Sequence, residues 1–328
     1  MRKYIIKRIL ISIVILFFVA FIIYALMRCL PTSYIENMAR QKSMQPGSKS
    51  FDEWMEQLTA MYNMDKGIFY GFFAWLGQML RGEFGDSWFY TVPVIQKFHS
   101  SIWVSFVMGL VAMILELIIA IPLGVIAATK QYSRTDYTIS VLALAGISLP
   151  TFFFASLLKL VFSVKLQWFD LFGLTGRNYE QLSAMGQFLD KAHHLVLPIV
   201  TLVVISVGSL MRYTRTNMLE VLNADYIRTA RAKGLDERKV IYHHVFRNTL
   251  IPLVTIVGGS LPGLFSGALI TETLYSIPGI GYVSYQAMVG GDIPFSMFYL
   301  TFLAILTLAG NLIADILYAV VDPRVRIS

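Results

Sequence analysis

Few side chains in this sequence are placed to do chemistry. Two acids, Glu116 and Asp315, fall inside long apolar runs. Ionisable groups at such depth are costly and usually face a cavity or a partner. They would suit a proton relay or the polar wall of a solvated path. Histidines pair at His193-His194 and at His243-His244. Neighbouring helical residues point about 100° apart, so an adjacent pair rarely chelates one ion. The expectation is no metal site, with His243 and His244 assigned to a cytoplasmic loop. There is no Gly-Lys dipeptide, hence no Gly-x-x-x-x-Gly-Lys-Ser/Thr phosphate loop, and no His-Glu-x-x-His. The chain is therefore not expected to hydrolyse ATP or to be an enzyme. The single cysteine, Cys29, excludes an internal disulfide framework and a four-cysteine metal site.

The elements that position these groups follow from composition. Of 328 residues, 56% are hydrophobic and 14% charged, against about 45–50% and 25% in soluble chains. Mean hydropathy is +0.63. This predicts an all-α polytopic membrane protein, since roughly 20 apolar residues cross a bilayer as a helix. Six runs qualify: Ile9 to Met27, Ser101 to Ala128, Tyr137 to Val164, Leu195 to Met211, Thr249 to Ile270 and Phe295 to Val321. The first is read as an uncleaved anchor, too long for a signal-peptide core and with no small-x-small site after it. An even number of spans puts both termini on one side. That side carries Arg2, Lys3, Lys7 and Arg8, then Lys130 and Arg134, a basic loop between spans four and five, and Arg324 and Arg326. It is cytoplasmic by the positive-inside rule. The net charge of +7 is thus a topological signal and not a mark of nucleic-acid binding. The organisation is an anchor over residues 1–28, an extracytoplasmic amphipathic-helix segment over 29–98, and a five-helix core over 99–328 with a cytoplasmic loop at 212–248.

In the outside segment, Ser50 followed by Glu53 is a capping box. Phe51, Trp54, Met55, Leu58, Met61 and Tyr62 then recur at helical spacing, and Phe69, Phe72, Phe73, Leu76, Met79 and Leu80 make a second stripe. They predict two amphipathic helices, lying on the outer surface or packed on the spans, and forming a lid rather than a ligand contact.

The loop over 212–248 is long for a connector and reads as ordered. Met218, Leu219, Leu222, Tyr226, Thr229 and Ala230 mark one helical face. Gly234 suits a left-handed C′ position with Leu235 as its hydrophobic C″ residue. Asp236 can cap a second helix carrying Val240, Ile241 and Val245. Small side chains beside a glycine let a backbone sit deep in a partner's groove, and arginines supply charge-assisted bonds. The docking element is assigned to Tyr226, Arg228, Thr229, Ala230, Arg231, Ala232, Lys233, Gly234 and Leu235, the alternative being a basic loop that only satisfies the positive-inside rule.

Within the spans, Gly259, Gly263 and Gly267 form a doubled Gly-xxx-Gly register around Pro262. Two readings stand: a movable contact with another subunit, or packing within this one. Thr307, Asn311, Asp315 and Tyr318 form a polar stripe in span six. Glu116, Asn311 and Asp315 are candidates to line a path, with a structural role preferred for Asn311 and Asp315. Lys159 is expected to snorkel to the outer surface.

The loop resembles that of permease subunits of bacterial binding-protein-dependent ABC importers. Their pattern is Glu-Ala-Ala, three residues, Gly; here Gly234 and Ala230 match, while Thr229 and Arg228 stand for the first alanine and the glutamate, and Pro252 comes late. The stretch Asp225-Tyr-Ile-Arg-Thr-Ala-Arg-Ala-Lys-Gly234, with Arg247-Asn248 and Ile251-Pro252, is similar to the oligopeptide, dipeptide and nickel branch. So are Gly82-Glu-Phe-Gly85, Ser276-Ile-Pro-Gly-Ile-Gly281, Leu317-Tyr-Ala319 and Asp322-Pro-Arg324. The anchor and long outside loop resemble the first-named permease of that branch. The resemblance implies half of a translocation channel in the bacterial cytoplasmic membrane, paired with a second permease, two ATPase subunits and an extracytoplasmic binding protein. It implies that the loop around Gly234 is a coupling helix, that ATP and Mg sit on the ATPases, and that no cofactor is bound by this chain. Peptide is the implied cargo, with nickel, glutathione or oligosaccharide as alternatives. Outside the resemblance, Glu116 and Asp315 would serve a proton-coupled carrier, and a membrane scaffold without cargo is a third reading.

Overall fold

The computed structural model describes residues 2–28, 33–45, 47–61 and 67–321. Cys29, Tyr62, Asp322-Pro-Arg324 and Arg326, with the side chains of Met61, Ile251, Tyr318 and Ala319, lie outside the described residues. The described chain is helical, with one isolated bridge between Asp86 and Pro93. In order the helices are α1 (Arg2–Arg28), α2 (Ser33–Ser43), α3 (Phe51–Met61), α4 (Ile68–Leu80), α5 (Val94–Thr129), α6 (Arg134–Ser148), α7 (Thr151–Leu158), α8 (Ala184–Leu222), α9 (Asp225–Ala232), α10 (Glu237–Lys239), α11 (Phe246–Ser260), α12 (Leu269–Tyr275), α13 (Ile280–Gly290) and α14 (Ile293–Val321). They divide into two compact units. One comprises Ser101–Val283 with Ala309–Ser328, the other Arg2–Ser100 with Ser284–Leu308.

Among the described residues four helices are long and apolar enough to cross a membrane: α1, α5, α8 and α14. The two other expected spans are bent. Over residues 137–164 the chain turns by 100° between α6 and α7. The cause is Pro150, whose ring drives Leu149 into the extended region (ψ 125°). Over 249–270, α11 ends at Ser260, a 3₁₀ turn Leu261–Phe265 follows, and α12 starts afresh at Leu269. The expected fourth span was too short. α8 has 39 residues, about 58 Å at 1.5 Å per residue. Lys191, Arg212 and Arg215 end the apolar run but not the helix, because charge opposes lipid and not helical backbone.

In the second unit, Phe72 of α4 is fully buried among Phe17, Phe21 and Tyr24 of α1. A glycine is required at Gly71, where a side chain would run into the Tyr24 ring and Arg28. Of the two options for α4, it therefore packs on α1. Its stripe divides: Phe72 is buried, whereas Phe73 and Leu80 are exposed. The Ser50–Glu53 box forms as expected: Ser50 N–H donates to Glu53 Oε2 (2.8 Å), and Glu53 N–H donates to Ser50 Oγ (3.3 Å). Leu58 of α3 buries against Ala39 of α2. A cavity of about 770 Å³ opens in this unit, lined by Tyr24, Arg28, Trp75, Glu83 and Met297 among others.

In the first unit, α6 and α8 approach closely. A side chain at Gly208 would run into the Ala143 carbonyl and Ile147, and one at Gly146 into the Val204 carbonyl. The same pair is locked at one end by Arg215, whose Nε and Nη2 donate to the two oxygens of Asp136 (2.7 and 2.8 Å).

Candidate functional site

α9 ends in a Schellman motif. Gly234 has φ +76°; its N–H donates to Arg231 O (2.9 Å), and Leu235 N–H lies 3.5 Å from Ala230 O. A β-carbon at Gly234 would touch nothing within 4 Å, so glycine is wanted for the backbone angle and not for room. Asp236 then caps α10 by accepting from Arg238 N–H (3.1 Å). The chain continues through a π-helical turn Val240–Val245 into α11. Helix, glycine turn and helix thus occur at the expected residues.

The buried face differs from expectation. Ile227, fully buried, is the residue that α9 sets into the core, with Met218 of α8, Val125 and Ala128 of α5, and Val240 and Val245. Tyr226 is half exposed at 52%. The helix breaks at Asn223–Ala224, and the break resets the helical phase, which moves Tyr226 off the face that Met218 and Leu222 began. Arg228, Thr229, Arg231, Ala232, Lys233 and Gly234 are exposed, while Ala230 and Leu235 pack on the core from its edge. Arg231 pairs with Glu237 (2.7 Å), bracing the two sides of the turn. The Arg231 hydrogen bond holds the Glu237 carboxyl below its ordinary range. Both ends are solvated, so the pair shapes the turn more than it stabilises it.

The membrane-embedded candidates are scattered. Glu116 on α5 is half-buried. Asn311 is exposed on α14 and Asp315 half-buried. The glycines do not share one face. A β-carbon on Gly259 would press on Ala314 of α14, whereas one on Gly263 would meet nothing within 4 Å. Gly267 adopts φ +80° beside Gly281. The register is broken by the 3₁₀ turn that Pro262 begins. Gly258, which the spacing argument passed over, packs against Leu317. Lys159 is half-buried; its Nζ donates to Leu274 O (2.6 Å) and lies 4.0 Å from the Phe172 ring.

A family described as binding-protein-dependent transport system inner membrane component matches residues 120–327. The chain belongs to that family. The oligopeptide transport system permease protein AppB of Bacillus subtilis strain 168 is 37% identical over 99% of this chain and 100% of its own. The dipeptide transport system permease protein DppB of Escherichia coli K12 is 33% identical over 92% of each. A chain of the MetNI methionine ABC transporter in an inward-facing form aligns with TM-score 0.49 and 18% identity, over 69% of this chain and 98% of its own.

The permease holds a second polar centre that sequence reasoning missed. Glu272 of α12 is fully buried. Oε1 accepts from Ser105 Oγ (2.6 Å) and Ala268 N–H (2.9 Å), and Oε2 from Tyr282 N–H (2.8 Å). Ser105 Oγ in turn accepts from Ile280 N–H (2.7 Å). These bonds pin the Ser276–Gly281 turn, and side chains at Gly279 or Gly281 would collide with the Glu272 carboxyl. The available signal was a glutamate four residues before a Ser-Ile-Pro-Gly-Ile-Gly turn. A further buried acid, Asp292, is bonded by the Ser87 hydroxyl and by Phe295 N–H.

Proposed function

We propose that the chain is the transmembrane permease subunit of an ATP-driven importer of oligopeptides or dipeptides. The bent pairs α6–α7 and α10–α11 with its 3₁₀ turn each count as one pass, which makes six passes with both termini cytoplasmic. Residues 29–98 lie outside the cytoplasmic membrane, and residues 99–328 form half of the channel with a second permease. Two ATPase subunits beneath carry ATP and Mg, and an extracytoplasmic binding protein delivers cargo. No nucleotide is assigned to this chain itself. The names of the full-length relatives support the cargo.

The observation that carries the coupling role is the contrast across α9. One residue, Ile227, is fully buried against α5, α8 and the helix after the turn, while Tyr226, Arg228, Arg231 and Lys233 stand exposed beside Gly234. A partner gripping the exposed side displaces the ends of α5 and α8 together, because they share the core under it. In that way nucleotide-driven closure biases a two-state bundle. Glu116 is the polar group assigned to the path, with Asn311 and Asp315 as further candidates whose preferred role is structural. Gly259 serves packing of α11 on α14.

The test is co-purification from native membranes. Wild type is expected to bring down two ATPases and a second permease, and Arg228→Glu with Tyr226→Ala to lose the ATPases while keeping the permease. Wild type purifying alone, or the variant retaining both ATPases, would overturn the coupling role.

A further inference from the structure

Asp170, His193 and His194 come together where the α7–α8 connection meets α8, each offering one ligand atom within 4.8 Å of the others. All three belong to one compact unit. The His194 side chain is only 2% exposed. Its Nδ1 lies 2.8 Å from the Asp190 backbone oxygen. A carbonyl only accepts, so Nδ1 carries the proton, and in the neutral ring Nε2 presents its lone pair. That Nε2 is buried and has no hydrogen-bond partner among the described residues. It faces Asp170 Oδ2 at 3.2 Å, an ion-pair distance without hydrogen-bond geometry. A lone pair aimed at a carboxylate oxygen is repulsive unless a cation, a proton or a metal ion, lies between them, and the geometry of a shared proton is not met here. Donation of the other ring nitrogen to a backbone carbonyl is the bond that fixes tautomer and orientation in metal-ligating histidines.

The two remaining ligands complete the geometry. Adjacent histidines diverge, and here the rings stand at 85° with centroids 6.1 Å apart. Two adjacent histidines do not converge on one ion unaided. The loop brings Asp170 as a third ligand from outside the helix. His193 is held by stacking on Phe169 (4.7 Å, 22°). His193 and Asp170 are exposed, so small rotations can shorten the ligand spacing to the roughly 3.4 Å that bonds of about 2.0–2.2 Å require around a tetrahedral ion. Two imidazoles and one carboxylate with an open face suit Zn²⁺ or a neighbouring divalent transition ion. Ca²⁺ and Mg²⁺ prefer oxygen-only ligands.

We propose that Asp170, His193 and His194 bind a divalent transition ion, Zn²⁺ in the first instance, which staples the α7–α8 connection to α8. Under the topology proposed above the site lies on the extracytoplasmic side; the coordination itself does not depend on that topology.

The experiment uses the full chain in lipid nanodiscs, stripped with a chelator and titrated with Zn²⁺ against a chromophoric competitor. Wild type is expected to take up one Zn²⁺ per chain and to melt at a higher temperature when loaded. His193→Gln and Asp170→Asn, both at exposed positions, are expected to bind at least about tenfold more weakly with unchanged helical circular dichroism. His99→Gln is expected to bind as wild type. Co²⁺ loaded in place of Zn²⁺ should give ligand-field bands in wild type that both site variants lose. No uptake by wild type, uptake unaffected by the two site variants, or equal loss in His99→Gln would each overturn the proposal.

Discussion

Gly234 carries a requirement that space does not explain. Its surroundings are open, but its φ of +76° costs an L side chain roughly 1–2 kcal/mol. Gly234→Ala is expected to lower thermal stability of the Gly234 turn by about 1 kcal/mol, and Gly234→Asn by less, because Asn visits the left-handed region more readily. Hydrogen exchange of the Gly234 and Leu235 amides reads this directly. Asp136 and Arg215 make the reverse case, where contact decides. Asp136 is 4% exposed and doubly bonded by Arg215, which is 25% exposed. Removing the guanidinium strands a buried carboxylate, so Arg215→Ala is expected to cost roughly 3 kcal/mol. Asp136→Ala strands only a partly solvated cation and should cost less. Melting of the purified chain with a double-mutant cycle checks both. Neither residue was singled out from sequence, since 79 positions separate them and only the close packing of α6 on α8 brings them together.

Among the elements, α3 and its cap were legible because both signals are local. The Glu53 carboxyl is held below its ordinary value of 4.5 by the Ser50 N–H and then by the Ser50 hydroxyl. A lowered value means the cap's contribution is complete above pH 4.5 and is lost as pH falls through the folded value. The Ser50 amide resonance is therefore expected to shift in acid with a midpoint below that of an unstructured glutamate, and Glu53→Gln to abolish the shift. Bends and breaks were less legible. Pro150 and Pro262 were visible, but neither the 100° turn nor the 3₁₀ segment follows from hydropathy, which counts apolar residues and not backbone direction. The same blindness left the glycine register of α11 intact on paper and put Tyr226 in place of Ile227, as the interruption at Asn223–Ala224 shifts every later side chain around the axis. Pro150→Ala is expected to relax the bend, read as a longer spin-label distance between positions 141 and 157.

For the whole molecule, orientation has a direct check. In a Cys29→Ser background, Gln181→Cys is expected to react with a membrane-impermeant maleimide added to intact cells, and Lys233→Cys only after permeabilisation. The reverse pattern would invert the topology. The expectation rests on the basic loop, because Lys and Arg near span ends favour the cytoplasmic side. Membership of a long-range site left no comparable trace. The Glu272 centre joins residues from three parts of the chain, Ser105, Ala268–Glu272 and Ile280–Tyr282, and the Asp170–His193–His194 cluster joins a loop to a helix.

By itself the sequence determined a helical chain with membrane-spanning apolar runs, the ordered turn at Gly234 and the capped helix at Phe51. Each depends on composition or on neighbours within a few residues, where backbone geometry and solvent preference act without help from the fold. Tertiary structure alone decided which face of α9 is buried, how α6 and α8 lock through Asp136 and Arg215, and which buried acids find donors. Those depend on helix phase and on close approach of distant segments, and a hydrophobic pattern leaves both free.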